Sequence, residues 1–249
     1  MPLHDWTRVD AGIFHHFHLL WIAELSRALN GGLLPDGFYA LGEQVTSGGN
    51  PDVLALHEPG TNGTASGAGY PGAGGTALLT APPGTRLTAR AEQSIYTARQ
   101  RQIAIRHTSG DRVVALIELV SAGNKASEYP WQSFLDKMLG ALHRGIHLLI
   151  LGVYPPTPRD PDGVHGAIWG QLTGEEYHPP ADADRTLAAY AAGSVEMAHV
   201  EPVAVGATLR DMPLFLTPDG YVFVPLEATY QLAYEGVPQR YRRLLEAAG

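Results

Sequence analysis

The 249-residue chain contains no cysteine, so disulfide scaffolds, zinc fingers, iron–sulfur clusters and thiol nucleophiles are all excluded. It also contains no apolar run of the roughly 18–20 residues that a membrane-spanning helix needs. The longest apolar runs, such as residues 146–153, have the length of a strand. The first six residues carry neither the basic nor the apolar segment of a secretory signal. We therefore expect a cytoplasmic protein that does not bind membranes.

Basic residues are scarce as well, since 17 Lys and Arg stand against 25 Asp and Glu, which gives a formal net charge of −8. Proteins that bind nucleic acid usually carry a basic face, and this chain can offer only a local one. Familiar signature loops are missing: the glycines of residues 72–75 have no Walker lysine, and no Gly-x-Ser-x-Gly elbow occurs. Candidate functional groups must therefore be sought among individual side chains.

The chain divides by composition. Residues 59–75 are almost entirely Gly, Ala, Ser, Thr and Pro, a composition that cannot bury enough surface to offset the entropy of ordering. We therefore predict a flexible insertion at about residues 59–85, inside a core domain of residues 1–160. Residues 161–249 are predicted to form a C-terminal α+β extension that packs on this core.

Hydrophobic periodicity predicts the order of helices and strands in the core. Apolar residues at three- and four-residue steps indicate a first helix over residues 13–29, which Asn30-Gly31-Gly32 ends. Strands are predicted over residues 38–46, 51–57, 96–107, 113–120 and 146–154, the third and fourth as a hairpin, with a helix from Pro130 to Gly145 before the last. A strand–helix–strand crossover implies a parallel pair, so we expect a three-layer α/β sandwich with a mixed sheet. In the extension, strands are predicted over residues 185–192, 195–205 and 221–225, and helices over 226–235 and 238–248.

Carboxylates stand out on two of these strands. Glu118 interrupts the apolar run of residues 113–120, and Asp52 directly precedes the apolar residues 53–56. A carboxylate in a buried strand is costly unless it is paired, hydrogen-bonded or bound to a metal. Two such groups at neighbouring strand ends can share Mg²⁺, with Glu43 as a third oxygen ligand. Alternatively, Asp52 starts a strand, and Glu118 pairs with an arginine such as Arg106 across the predicted hairpin.

Taken together, these features resemble the core of the PD-(D/E)xK, or restriction-endonuclease-like, superfamily. Pro51-Asp52 is followed by Glu118 on an apolar strand, then by a helix and another strand. More closely, the chain resembles an uncharacterised bacterial domain family of unknown function with that core. Its hallmarks are residues 14–18 with Trp21, residues 51–54, residues 117–121 with Asn124-Lys125, and residues 224–227.

The resemblance implies a Mg²⁺-dependent (or Mn²⁺-dependent) nuclease-like hydrolase that acts on DNA. In that superfamily an aspartate and a glutamate bind the metal and a lysine activates the attacking water, so Asp52 and Glu118 would be ligands here and Glu43 an auxiliary one. The superfamily lysine normally lies two residues after the glutamate, where this chain has Val120. Lys125 in the following loop or Lys137 on the next helix would then serve, with Lys125 slightly preferred. His18, Ser121 and Asn124 are expected to line the pocket.

Two other functional hypotheses remain open at this stage. The chain could be a catalytically degenerate member of the same fold that serves in binding, a possibility that Val120 and the acidic composition favour. More distantly, His15, His16 and His18 with His4 or Asp5 could bind zinc, although partly buried histidines that hydrogen-bond their neighbours explain them as well. Arg240, Arg242 and Arg243 are typical of a solvated helix face. A homodimer is possible.

Overall fold

The computed structural model describes residues 3–42, 53–57, 84, 87–92 and 112–247. The predicted strand over residues 96–107 and, apart from Gly84, the predicted insertion at residues 59–85 lie outside these ranges. Asp52 and Glu43, the first and third of the predicted metal ligands, lie outside them too.

Fourteen helices and strands and two short helical turns cover the described part of the chain. The helices are α1 (Ala11–Ala28), α2 (Glu128–His143), α3 (Gly163–Thr173), α4 (Leu226–Glu235) and α5 (Gln239–Glu246). The strands are β1 (Phe38–Gly42), β2 (Val53–His57), β3 (Leu87–Glu92), β4 (Arg112–Leu119), β5 (His147–Gly152), β6 (Arg185–Ala191), β7 (Val195–Val203), β8 (Met212–Thr217) and β9 (Gly220–Val224). A 3₁₀ turn (Trp6–Arg8) precedes α1, and a π-helical turn (Leu29–Leu33) follows it.

Seven strands form one mixed sheet in the order β1-β2-β4-β5-β6-β7-β3, and β8 and β9 form a separate hairpin. Among the pairs described, β4 and β5 are parallel and the other neighbours in the large sheet are antiparallel. The protein is thus a mixed α/β structure with a mixed sheet, and the predicted parallel pair is confirmed. Strands from both sides of residue 160 share this sheet, because β6 and β7 continue it beyond β5. The division into a core and an extension at residue 160 stays a prediction.

Both faces of the sheet are covered, and each face has its own hydrophobic cluster. Ala115, Ile117 and Leu119 of β4 pack in the cluster that contains α1, α4 and the β8–β9 hairpin. Leu116 and Val120 belong to the other cluster, with the apolar faces of α2 and α3. Successive side chains of a strand point to opposite faces, so the near-continuous apolar run of β4 is what burial on both sides requires.

The N-terminal segment is fixed to α4 by a buried tyrosine. The Tyr230 hydroxyl accepts the His4 backbone N–H at 3.1 Å and the Trp6 Nε1–H at 3.2 Å, and it lies 2.8 Å from His4 Nδ1. The His4 ring also stacks on Tyr234, with 4.0 Å between centroids. Burial lowers the pKa of His4, so its ring is neutral and Nδ1 accepts a hydrogen bond from the Tyr230 hydroxyl. All hydrogen-bonding capacity of this buried hydroxyl is used, which ties the chain start to its C-terminal third.

Most predicted helices and strands are confirmed, and those of their predicted ends that fall in described residues agree with the structure within two residues. The first helix stops where predicted: Gly32 in the π-helical turn has φ +114°, a conformation that glycine alone adopts easily. The sequence patterns do not predict three of the described elements, which are α3, β3 and β8. Helix α3 packs so closely on β5 that a Cβ at Gly152 would lie 2.8 Å from Val164 Cγ1 and 2.7 Å from the Thr186 carbonyl oxygen.

Two buried histidines determine how the free energy of unfolding is expected to depend on pH. Burial lowers the pKa of His147 and of His165 to about 4, against 6.5 in the unfolded chain. His147 Nδ1 accepts the Ala192 N–H at 2.9 Å, and His165 Nδ1 lies 2.7 Å from the Tyr190 hydroxyl, so both rings are neutral when folded. Below pH 6.5 the unfolded state binds more protons than the folded state, so stability falls as pH drops towards 4.

We expect each of these two histidines to remove up to about 3 kcal/mol of unfolding free energy between pH 7 and pH 4. Urea denaturation across that range, with histidine resonances followed by NMR, tests this expectation. Ring signals of these two residues that titrate near pH 6.5 in the folded protein would contradict it.

Candidate functional site

Glu118 is a buried carboxylate on the central sheet. It lies one residue before the end of β4, and its residue is 4% exposed. It follows Leu116 by two positions, so its side chain points to the face of the sheet that α2 covers. The sequence prediction that this strand glutamate needs a partner is correct, because a lone carboxylate there would be strongly destabilising.

Lys137 on α2 provides that partner. Its Nζ lies 2.5 Å from Glu118 Oε1, and the lysine and glutamate side chains are 14% and 5% exposed. The buried face of α2 includes Phe134 and Met138, so Lys137 borders this face and its aliphatic stem reaches inward to the sheet. A carboxylate and an ammonium group therefore meet between the sheet and the helix, with the ammonium side closer to solvent.

Lys125, the other candidate lysine, has a different partner. Its Nζ lies 2.5 Å from Asp160 Oδ2 and donates a hydrogen bond to the Pro155 carbonyl oxygen at 3.0 Å. The lysine and aspartate side chains are 3% and 0% exposed. The second Asp160 oxygen, Oδ1, accepts the backbone N–H of Thr157 at 2.9 Å and its hydroxyl at 2.5 Å. This pair joins the loop after β4 to the loop after β5, the two parallel strands.

Burial shifts the titration of this lysine. It lowers the pKa of Lys125, and the facing Asp160 carboxylate raises it in part. The Lys125 carbonyl also accepts a hydrogen bond from the Arg159 guanidinium at 3.1 Å. Held on three sides and almost inaccessible to solvent, Lys125 is placed to fix the two loops. Of the two candidate lysines, Lys137 is the one that contacts Glu118.

Ser121 and Asn124, predicted to line a pocket, form the turn that leads to Lys125. Asn124 Oδ1 accepts the Ser121 backbone N–H at 2.9 Å and the Ser121 hydroxyl at 2.8 Å. An asparagine side chain used in this way fixes a short loop by replacing a backbone acceptor. These two residues therefore shape the connection between β4 and α2.

His18, the third predicted pocket residue, lies in a different layer. Helix α1 packs on the opposite face of the sheet from α2, and the His18 ring stacks against Phe14 with 6.2 Å between centroids. The structure thus does not bring His18 to the Glu118–Lys137 pair. The zinc hypothesis is wrong for the N-terminal histidines: within the described ranges, no three His, Asp or Glu side chains group closely enough to hold a metal ion.

An open cleft of about 430 Å³ runs along the exposed side of α2. The described residues that line it are Tyr129, Gln132, Ser133, Asp136, Lys137 and Arg144. Since Lys137 lines this cleft and also contacts Glu118, the buried ion pair reaches solvent at the cleft. A ligand in the cleft would therefore reach Lys137 before Glu118.

Sequence reasoning missed Asp160 and Arg144. A Thr-x-x-Asp spacing, here Thr157 and Asp160, is a common local turn signal that could have marked the aspartate as structured. Nothing in the sequence pairs Asp160 with Lys125, however, since 35 positions separate them. Arg144 closes α2, where cations are common, and its place in the cleft follows from the fold alone.

Comparisons with protein-family models, with curated proteins and with solved structures find no match to this chain. Among the described helices, none has both the length and the apolar composition needed to cross a membrane.

The buried pair between the two loops gives a stability prediction. Lys125→Met leaves the Asp160 carboxylate buried without a cation, and we expect a loss of about 3–5 kcal/mol in unfolding free energy. The double variant Lys125→Met/Asp160→Asn removes both charges and keeps an oxygen for Thr157, so it should recover much of that loss. Urea denaturation measures both effects.

The matched control is Arg27→Ala, which breaks the surface pair with Glu24, where the arginine side chain is 66% exposed. It should cost less than about 1 kcal/mol. A loss for Lys125→Met no larger than this would show that the buried pair does not stabilise the loops.

Proposed function

We propose that the protein is a Mg²⁺-dependent phosphodiesterase of the PD-(D/E)xK type that acts on DNA, with Asp52, Glu118 and Lys137 as its working groups. The observation that carries the proposal is the 2.5 Å contact between Lys137 Nζ and Glu118 Oε1 at the cleft along α2. The superfamily lysine normally occupies the position that Val120 has in this chain. On this proposal Lys137 replaces it, because Lys137 approaches Glu118 from helix α2.

The register of β2 against β4 supports a role for Asp52. Val53 pairs with Ile117 and Leu54 with Leu116 in an antiparallel arrangement. Asp52 precedes Val53 in the chain, and the proposal requires it to lie near Glu118, the residue that follows Ile117. Residues that are directly opposite in antiparallel strands have their Cβ atoms about 4.5–5.5 Å apart on the same face. The proposal requires the Asp52 carboxylate to reach the face of the sheet that α2 covers, where Glu118 lies.

This donor set is chemically suited to magnesium, which is commonly held by one or two carboxylates together with water and substrate phosphate oxygens. Asp52 and Glu118 would hold the ion, with Glu43 as a possible auxiliary ligand. When bound, Mg²⁺ supplies positive charge against the scissile phosphate and acidifies a water. The chain itself would supply the Lys137 ammonium, which neutralises Glu118 until the ion displaces it from the carboxylate and can then orient a water by donating a hydrogen bond to it.

The element order supports the same core. Helix α1, the antiparallel strands β1, β2 and β4, helix α2 and the parallel strand β5 occur in this order along the chain, with β3 inserted between β2 and β4. The sheet also continues through β6, β7 and β3. The proposal accounts for that continuation as an addition beyond β5, away from Glu118.

A second candidate function is binding without catalysis on the same fold. The observation that favours it is the 5% exposure of the Glu118 side chain, since a carboxylate closed off by its lysine has little access to an ion. The two candidates differ in metal binding: the enzyme requires that Mg²⁺ or Mn²⁺ compete with Lys137 for the carboxylate.

The test is cleavage of plasmid and single-stranded DNA in Mg²⁺ or Mn²⁺ by the wild type and by Asp52→Ala, Glu118→Ala and Lys137→Met. We expect each variant to lose at least about 100-fold in rate, because each removes a group that acts in the transition state. Glu176→Gln, which changes a 90% exposed carboxylate, should keep the wild-type rate.

Calorimetric titration of Mn²⁺ into the wild type and Glu118→Ala separates the two candidates. Metal binding that disappears in the variant supports the enzyme. Absence of both cleavage and metal binding in the wild type would overturn it in favour of the binding protein.

A further inference from the structure

The order of side chains along α2 indicates what the cleft holds. Tyr129 lies at one end, Gln132, Ser133 and Asp136 follow, and Lys137 and Arg144 lie towards the other end. Tyr129, Ser133 and Lys137 follow one another at four-residue steps, and Arg144 comes seven residues, about two turns, after Lys137, so these positions share one face of the helix. Aromatic, hydrogen-bonding and cationic groups thus follow one another along a single line.

Tyr129 presents an uncommitted aromatic surface. It is 84% exposed, the most exposed of the large hydrophobic side chains in the described ranges. Leaving a tyrosine ring in water has no benefit for folding, and its position at the mouth of a cleft makes the face available to a flat partner. Base–aromatic stacking is worth about 1–3 kcal/mol and tolerates any base.

Arg144 brings a second cation next to Lys137. Its guanidinium folds back along α2 over Gly140, where a Cβ would lie 3.4 Å from Arg144 Nη1. Gly140 is three residues beyond Lys137, about one helical turn, so the Arg144 guanidinium lies over the turn that follows Lys137, and both residues line the cleft. Tyr129 and Lys137 are eight residues apart, about 12 Å along the helix axis.

We propose that this cleft binds single-stranded nucleic acid, with a base stacked on Tyr129 and a backbone phosphate held between Lys137 and Arg144. Gln132 and Asp136 lie between these two ends and meet the edge of the base. A volume of about 430 Å³ lies within the range of small-ligand sites and suits one nucleotide unit. The ring is available only to an unstacked base, so a single strand fits and a duplex does not.

Asp136 gives the cleft a preference among the bases of the strand. Its carboxylate repels phosphate but accepts hydrogen bonds from an exocyclic amino group, as on cytosine or adenine. Thymine has no amino group, so strands rich in cytosine should bind more tightly than strands of thymine alone. The inference rests on the proposed function, since Lys137 belongs to both sites, but it concerns binding and can be measured without cleavage.

The experiment is fluorescence anisotropy with labelled oligonucleotides in EDTA, where no divalent ion supports cleavage. The probes are a 12-nucleotide single strand containing cytosine, an all-thymine strand and the matching duplex. The wild type should bind the cytosine strand more tightly than the other two. Tyr129→Ala should weaken that binding about 5- to 150-fold, and Tyr129→Phe should restore it.

Arg144→Ala should weaken binding and reduce the slope of log K against log salt by about one, as expected for one lost phosphate contact. The matched controls are Phe223→Ala, which removes a 37% exposed ring, and Arg243→Ala on α5. Both belong to the layer opposite α2 and should leave affinity unchanged.

Equal or tighter binding of the duplex, unchanged affinity in Tyr129→Ala, or no binding by the wild type would each overturn the inference. Selective single-strand binding that depends on Tyr129 and Arg144 supports it even if no metal-dependent cleavage occurs. That last result would overturn the phosphodiesterase alone, so the two proposals can fail separately.

Discussion

Parallel pairing of β4 with β5 is the constraint on which the rest of the structure depends. Two parallel neighbours cannot be joined by a tight turn, so the chain must cross one face of the sheet between them, and α2 is that crossing. The crossing covers β4 on the Glu118 side and brings Lys137 over the carboxylate. The same geometry leaves the loops after β4 and β5 side by side, where Lys125 and Asp160 join them. Both buried ion pairs are thus consequences of one topological choice.

Much of this fold could be predicted from periodicity. Helices α1 and α2 have long apolar stripes with clear stops, and β4 and β5 are apolar runs that Glu118 interrupts in β4, so their type and order can be predicted directly. Helix α3 is not predicted from the sequence because its three glycines lower its helix propensity. Its buried side does show a helical period, with Val164, Ile168 and Leu172 at four-residue steps. Strand β8 is not predicted because it contains Pro213, and proline is uncommon inside strands. In both cases tertiary packing outweighs local preference.

The candidate site was predictable only in part. A charged residue in an otherwise apolar strand is conspicuous in the sequence, so Glu118 could be predicted as a candidate. Its partner could not be predicted. Lys125 and Lys137 are both near in sequence, and the choice between them depends on where Asp160 lies in the folded chain. Sequence position slightly favours Lys125, but in the folded chain Lys125 pairs with the buried Asp160 carboxylate. The position of His18 also depends on the fold. Helix α1 packs on the face of the sheet opposite to Glu118, so His18 does not reach this carboxylate.

The turn after α1 has one more consequence. Asn30 donates through its Nδ2 to the Ala40 carbonyl oxygen and accepts the Ala40 N–H at its Oδ1, both at 2.8 Å. Its amide therefore forms the two hydrogen bonds that a neighbouring strand would form with Ala40 of β1, which is the edge strand on that side among the described strands. An incoming chain that sought to extend the sheet there would have to displace this side chain first. Self-association by strand addition is thus discouraged at this border by a single residue, which protects the protein from edge-to-edge aggregation.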